Sequence, residues 1–85
     1  MIFHVIWRPL AETQLTAEWI RAQNKDAVAG YVEQIDRILA RNPLEQGESR
    51  EGNFRLWFHR PLSVLFEVDD GRKTIFVWAI KWSGK

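Results

Sequence analysis

The stretch from Leu62 to Trp82, LSVLFEVDDGRKTIFVWAIKW, constrains the fold of this chain more than any other. Leu62, Val64, Phe66 and Val68 alternate with Ser63, Leu65 and Glu67, the period of two that gives a strand one buried and one mixed face. Asp70-Gly71 interrupts the pattern, and both residues favour the positive φ of a tight hairpin turn. Thr74 to Trp82 then resumes with β-branched and aromatic strand formers. An antiparallel pair follows, and one of its faces has to be covered.

The flanking segments supply the cover. Phe54 to His59 reads as a third strand, joined through Arg60-Pro61, a weaker hairpin signal because proline suits the primed turns badly. Ile2 to Trp7 reads as an opening strand, ended by Arg8-Pro9. A helix is expected from Leu10 to about Gln23, with Leu15, Trp19 and Ile20 facing inward between Ala11 and Ala22. After the polar break Asn24-Lys25-Asp26, with its capping carboxylate, Val28, Val32, Ile35 and Leu39 mark one face of a second helix ending near Arg41. Asn42-Pro43 stops it, and Leu44 to Gly52, with two glycines, three glutamates and no periodicity, reads as a loop.

So short a connection makes the helices an antiparallel hairpin, and Gly30 is expected to permit their close contact. The order β-α-α-β-β-β places the chain in the α+β class, an antiparallel sheet with a helical hairpin on one face. The opposite face is left open to solvent or a partner.

Length sets one domain, residues 1–85, with a modest core. Five tryptophans at 7, 19, 57, 78 and 82 are more than that core should absorb, so one or two are expected at the surface. The lack of cysteine excludes a disulfide framework and thiolate metal sites, and it fits a reducing cytoplasm. MIFHVIWRPL has neither a basic leader nor a small-residue cleavage site, and no apolar run spans a bilayer, so a soluble, cytoplasmic protein is expected. Basic and acidic residues nearly balance, 12 against 11, which makes any positive site a local one.

The best local candidate is GESREGNFRLWFHRPLSVLFEVDD, residues 47 to 70, which carries Arg50, Arg55, His59 and Arg60. Period two puts Arg55, Trp57 and His59 on one face of their strand, and that face is expected to be the exposed one. His59 reads either as a general acid–base or as an ordinary strand histidine beside a turn. Arg55 reads as a phosphate ligand or as the partner of a loop glutamate, and Arg50 as a phosphate contact or the partner of Glu48 or Glu51. Asp69 and Asp70 are explained by the turn chemistry of Asp-Asp-Gly. His4 and His59 cannot be shown to meet, and no metal, nucleotide or other cofactor is expected.

With its opening FHVIWRPLAE, helix ending IDRILARNP, the 47–70 phrase and closing strand TIFVWAIKW, the chain resembles the RelE/ParE toxins of bacterial type II toxin-antitoxin modules over almost its whole length. The resemblance implies a growth-inhibiting toxin held inactive by a cognate antitoxin that wraps it. The target would be messenger RNA on the ribosome for a RelE-like member and DNA gyrase for a ParE-like one. A third possibility is a degenerate member that keeps only antitoxin binding. A homodimer or a toxin–antitoxin hetero-oligomer, with no membrane, is the expected assembly.

Cleavage of RNA by its own 2′-hydroxyl requires a proton acceptor, a proton donor and cations on the phosphorane. Under the resemblance His59, Arg55 and Lys81 would carry that chemistry, with Arg50, Arg60, Trp57 and Trp82 binding RNA or target. Trp82 would stack on a base or else cap the core, and Lys81 and Arg60 would stand in for a missing cation or be solvated charges. Ser63 marks the departure: where RelE-like nucleases place an arginine early in this strand, in a phrase like YRVLY, this chain has LSVLF.

Overall fold

The computed structural model describes residues 2–82. Strand β1 (His4–Trp7) leads into helices α1 (Pro9–Arg21) and α2 (Lys25–Arg41), a 3-10 turn at Pro43–Glu45, and strands β2 (Glu48–Ser49), β3 (Phe54–His59), β4 (Leu62–Asp69) and β5 (Thr74–Trp82). The sheet order is β1-β5-β4-β3-β2, with β1 parallel to β5 and the other pairs antiparallel. The expected β-α-α-β-β-β order stands. Within the stretch read as a loop, Glu48 and Ser49 add a two-residue edge strand against Leu56 and Arg55.

Local chemistry explains the helix ends. Pro9 opens α1, Glu12 lies in its first turn and Arg21 in its last, each on the favourable side of the helix dipole. Lys25 Nζ donates to the carbonyls of Trp19 and Ile20 at 2.9 and 3.2 Å, closing the C-terminal end. The cap of α2 is an amide rather than the expected carboxylate: Asn24 Oδ1 accepts from Ala27 N–H at 3.0 Å, while Asp26 sits in the first turn.

The helices cover the sheet face formed by Leu62, Val64, Phe66 and Val68 of β4 and Ile75, Val77 and Ile80 of β5. From α2 come Ile35 and Leu39, and from α1 Ala11, all buried completely. Burying a side chain the size of Ile35 or Leu39 stabilises by about 1.5–3 kcal/mol before entropy is counted. Trp7 Nε1 donates to Asp36 Oδ1 at 2.7 Å and ties β1 to α2.

Two helix expectations change. Only Ala11 and Leu15 of α1 reach the core, whereas Trp19 and Ile20 are exposed. Gly30 serves no close helix contact, because a Cβ built there meets nothing within 4 Å. The helices therefore meet without a close approach of their backbones at this point. The β4–β5 connection is the expected hairpin, but its positive φ falls on Lys73 instead of Gly71. Asp69 Oδ1 accepts from Arg72 N–H at 3.1 Å and Asp70 pairs with Lys73 at 2.8 Å, so a four-residue loop replaces the tight turn. Among the described residues no helix is long and apolar enough to cross a membrane.

Candidate functional site

The sheet has two faces, and the sequence-predicted site residues divide between them. Strand β3 pairs with β4 so that Arg55 lies opposite Phe66, Trp57 opposite Val64 and His59 opposite Leu62. All three partners are core residues. Arg55, Trp57 and His59 do share a face, but it is the helix-covered one, which corrects the expectation that this trio is exposed.

Each member of the trio is engaged there. Trp57 is buried, edge-on to Phe66 with ring centroids 6.4 Å apart, and so is a core residue rather than a surface anchor. His59 is hydrogen-bonded through Nε2 to Gln34 Oε1 of α2 at 3.0 Å and lies 4.8 Å from the Trp57 ring. Arg55 donates from Nε to the Gln46 carbonyl at 2.8 Å and from Nη2 to the Gly47 carbonyl at 3.2 Å. Its partners are loop carbonyls, not the glutamate considered as an alternative. Gly47 makes this clamp possible: its φ is +67°, and a Cβ would lie 2.3 Å from the Leu56 carbonyl oxygen.

The open face consists of three cross-strand rows. Phe54, Glu67 and Phe76 form the first, Leu56, Leu65 and Ala79 the second, extended at the β2 edge by Glu48, and Phe58, Ser63 and Lys81 the third. A bulge between the first two leaves Trp78 without a partner on β4. That extra residue changes the parity of β5: Ile75 and Val77 point to the helices before it, Ile80 after it. Lys81 thereby emerges beside Ser63 on the open face, and Trp82 takes the parity of Leu62.

Trp78 anchors a cluster at the first row. Its Nε1 donates to Glu67 Oε1 at 2.9 Å, its ring lies 6.1 Å from that of Phe54, and the Arg8 guanidinium sits 4.7 Å above it. Such a stack holds a cation by the ring quadrupole as well as by charge. Arg8 Nε is buried there without a hydrogen-bond partner.

The second and third rows floor a concavity of ≈ 690 Å³ with Gln14 at its rim. Strand β1 stops pairing at Trp7–Val77, so β5 beyond that point has a strand on one side only. Gln14 of α1 fills part of this gap, its Oε1 accepting from Ile80 N–H at 2.7 Å. Phe58 is 59% exposed and Trp82 44%, so aromatic surface stands at this end of the molecule.

Of the remaining predicted residues, Arg50 lies 3.6 Å from Glu48 in an exposed pair, the bland alternative named for it. Arg60 occupies the β3–β4 turn, and Lys81 is exposed with no ion-pair partner among the described residues. The structure thus separates Lys81 from Arg55 and His59 by the thickness of the sheet. Among the described residues no three metal-ligating side chains converge.

The arrangement of two helices on one face of a five-stranded sheet is shared with solved toxins. A chain of the toxin–antitoxin complex RelBE2 from Mycobacterium tuberculosis aligns over 100% of this chain and 95% of its own length, with a TM-score of 0.79 at 18% identity. The chromosomal ParDE system of P. aeruginosa aligns over 95% and 96%, with 0.69 at 21%. The isolated RelE toxin of E. coli aligns over 98% and 86%, with 0.65 at 13%. The chain has the RelE/ParE toxin fold. No family model and no curated protein matches the sequence, so this likeness is one of fold.

On this RelE/ParE scaffold, sequence reasoning missed three open-face contributors: Arg8, Trp78 and Gln14. Arg8 was read only as the end of a strand and Gln14 not at all. The Arg-Pro junction did hold a signal, since a residue between an edge strand and a helix borders the open face. For Gln14 there was none, because its role depends on where β1 stops.

Proposed function

We propose that this chain is the growth-inhibiting toxin of a type II toxin-antitoxin pair, and that its open sheet face works by docking a protein, either the antitoxin or the target. The fold it shares over nearly full length with RelE and ParE chains supports the toxin role. The observation that carries the protein-docking reading is the apolar concavity on the open face, where Phe58, Leu56 and Leu65 stand around Lys81, the one charged lining residue among the described residues. Such composition suits a protein interface better than a phosphate track. Gyrase is the target that a ParE-like member would take.

Ribosome-dependent messenger RNA cleavage is the second reading, favoured by Lys81 beside Ser63 on the open face and Arg60 at the same end of the sheet. In that reading Lys81 and Arg60 bear the phosphorane charge and Trp82 stacks on a base. Arg55 and His59 then act by holding β3 to the loop and to α2, not at the scissile bond.

Induced expression in a bacterial host without a partner tests the toxin role, with growth arrest as the expected result. Normal growth at a high level of folded protein overturns it and leaves a pure interaction module. Purified protein then separates the mechanisms. Inhibition of gyrase supercoiling without primer-extension stops on translated messenger RNA supports docking, and the reverse result supports cleavage.

A further inference from the structure

We infer that Gln14 is an edge seal: its side chain takes the place of the strand that β1 does not supply beside the end of β5, and it keeps a second copy of this chain from pairing there. The inference stands apart from the toxin reading and from the open face, because it concerns the edge of the sheet.

Strand β1 cannot run on beside β5. Its last backbone bond is from Arg8 N–H to the Val77 carbonyl at 2.9 Å, and the next residue is Pro9, which has no N–H and opens α1. Strand β5 nevertheless continues to Trp82, paired with β4 as far as Leu62. Among the described residues no strand pairs with its other edge beyond Val77. That edge reads Ala79-Ile80-Lys81-Trp82, apolar apart from one lysine, and it lacks the proline or the run of charges that blunts an exposed strand.

The bulge at Trp78 decides which groups this edge presents. Val77 faces the β1 side before the bulge and Ile80 faces it afterwards, an odd step that a regular strand would not allow. Ile80 is 3% exposed, so water cannot satisfy its N–H. Gln14, half-buried on α1, does so instead, its Oε1 accepting at 2.7 Å. A side-chain acceptor occupies the donor without providing a backbone that a further strand could extend.

Without that acceptor the edge fits a second copy. Antiparallel pairing about a two-fold axis at Ile80 lets the two chains exchange N–H and C=O bonds at this one residue, in a self-complementary contact. Lys81 of each chain then falls opposite Ala79 of the other, so like charges do not meet across the pair.

The test combines hydrogen exchange of the Ile80 amide, followed by NMR on the full chain, with sedimentation over a range of protein concentration. In the wild type the Ile80 amide should be protected. Gln14→Leu keeps the bulk and removes the acceptor. In dilute solution its Ile80 amide should exchange about tenfold faster. As concentration rises the variant should assemble beyond the mass of the wild type, and the Ile80 amide should slow again. Gln14→Glu retains an acceptor and should match the wild type in both readouts. An unprotected Ile80 amide in the wild type overturns the inference without any variant, whether or not Gln14→Leu folds. So do unchanged exchange in Gln14→Leu, a Gln14→Leu mass that stays at the wild-type value, assembly that leaves Ile80 exchange independent of concentration, and assembly of Gln14→Glu to the same extent.

Discussion

The two faces of the sheet are built from the same three strands and differ in what their side chains are committed to. On the helix-covered face the arginine and the histidine among the candidate residues both have partners: Arg55 on the Gln46 and Gly47 carbonyls, His59 on Gln34. On the open face Phe58 and Lys81 are exposed, and Lys81 has no ion pair among the described residues. A committed side chain stabilises the fold, and an uncommitted one is available to a partner. On the proposed reading, the arginine and histidine of β3 serve stability and the lysine at the end of β5 serves recognition.

This contrast can be broken by substitutions that should affect one face and not the other. Phe66→Ala removes a fully buried ring from the covered face and should cost about 4 kcal/mol in chemical denaturation. A loss below about 1 kcal/mol would mean that this face is not the core. Gly47→Ala should destabilise by about 2 kcal/mol, since it forces a side chain into left-handed backbone against β3, and urea titration reads the shift. Any growth arrest by the variant should fall only as far as its folded fraction does.

The smaller effects sharpen the comparison. Gly30→Ala should raise stability by about 1 kcal/mol, the gain in helix propensity, because the added methyl has open space. A loss in thermal melting would show that the helices pack closer than they do here. Phe58→Ser on the open face should change stability by less than about 0.5 kcal/mol while relieving growth arrest or antitoxin rescue. If both functional readouts stay at wild type, the open face is not the working surface.

Much of the architecture was legible because β4 states its own geometry. Leu62, Val64, Phe66 and Val68 were predicted on one face, and all four are buried. The second helix was nearly as clear, with Val28, Ile35 and Leu39 buried as their spacing requires and Val32 half-buried. Helix α1 was not, since Trp19 and Ile20 fall at helical spacing with Leu15 yet are exposed. Of the five tryptophans, Trp57 is buried, Trp7 and Trp78 are half-buried, and Trp19 and Trp82 are exposed, the one or two surface residues that core size led us to expect.

The candidate site was read with the right pairings and the wrong side. Arg55, Trp57 and His59 do share a face, because side chains two apart along a strand must. In FRLWFH, however, Phe54, Leu56 and Phe58 lie on one face and Arg55, Trp57 and His59 on the other, so hydropathy within β3 favours burying the face that the structure leaves open. The choice comes from register: Trp57 pairs with Val64, and β4 has only one face that can be buried.

The sequence by itself determined the four longer strands, the helices and which residues travel together on a face, because those follow from local periodicity. Tertiary structure alone decided which face the helices cover for β3 and where Lys81 points. Both are properties of strand pairing: one residue of register, or one bulged residue at Trp78, carries a side chain from one side of a sheet to the other.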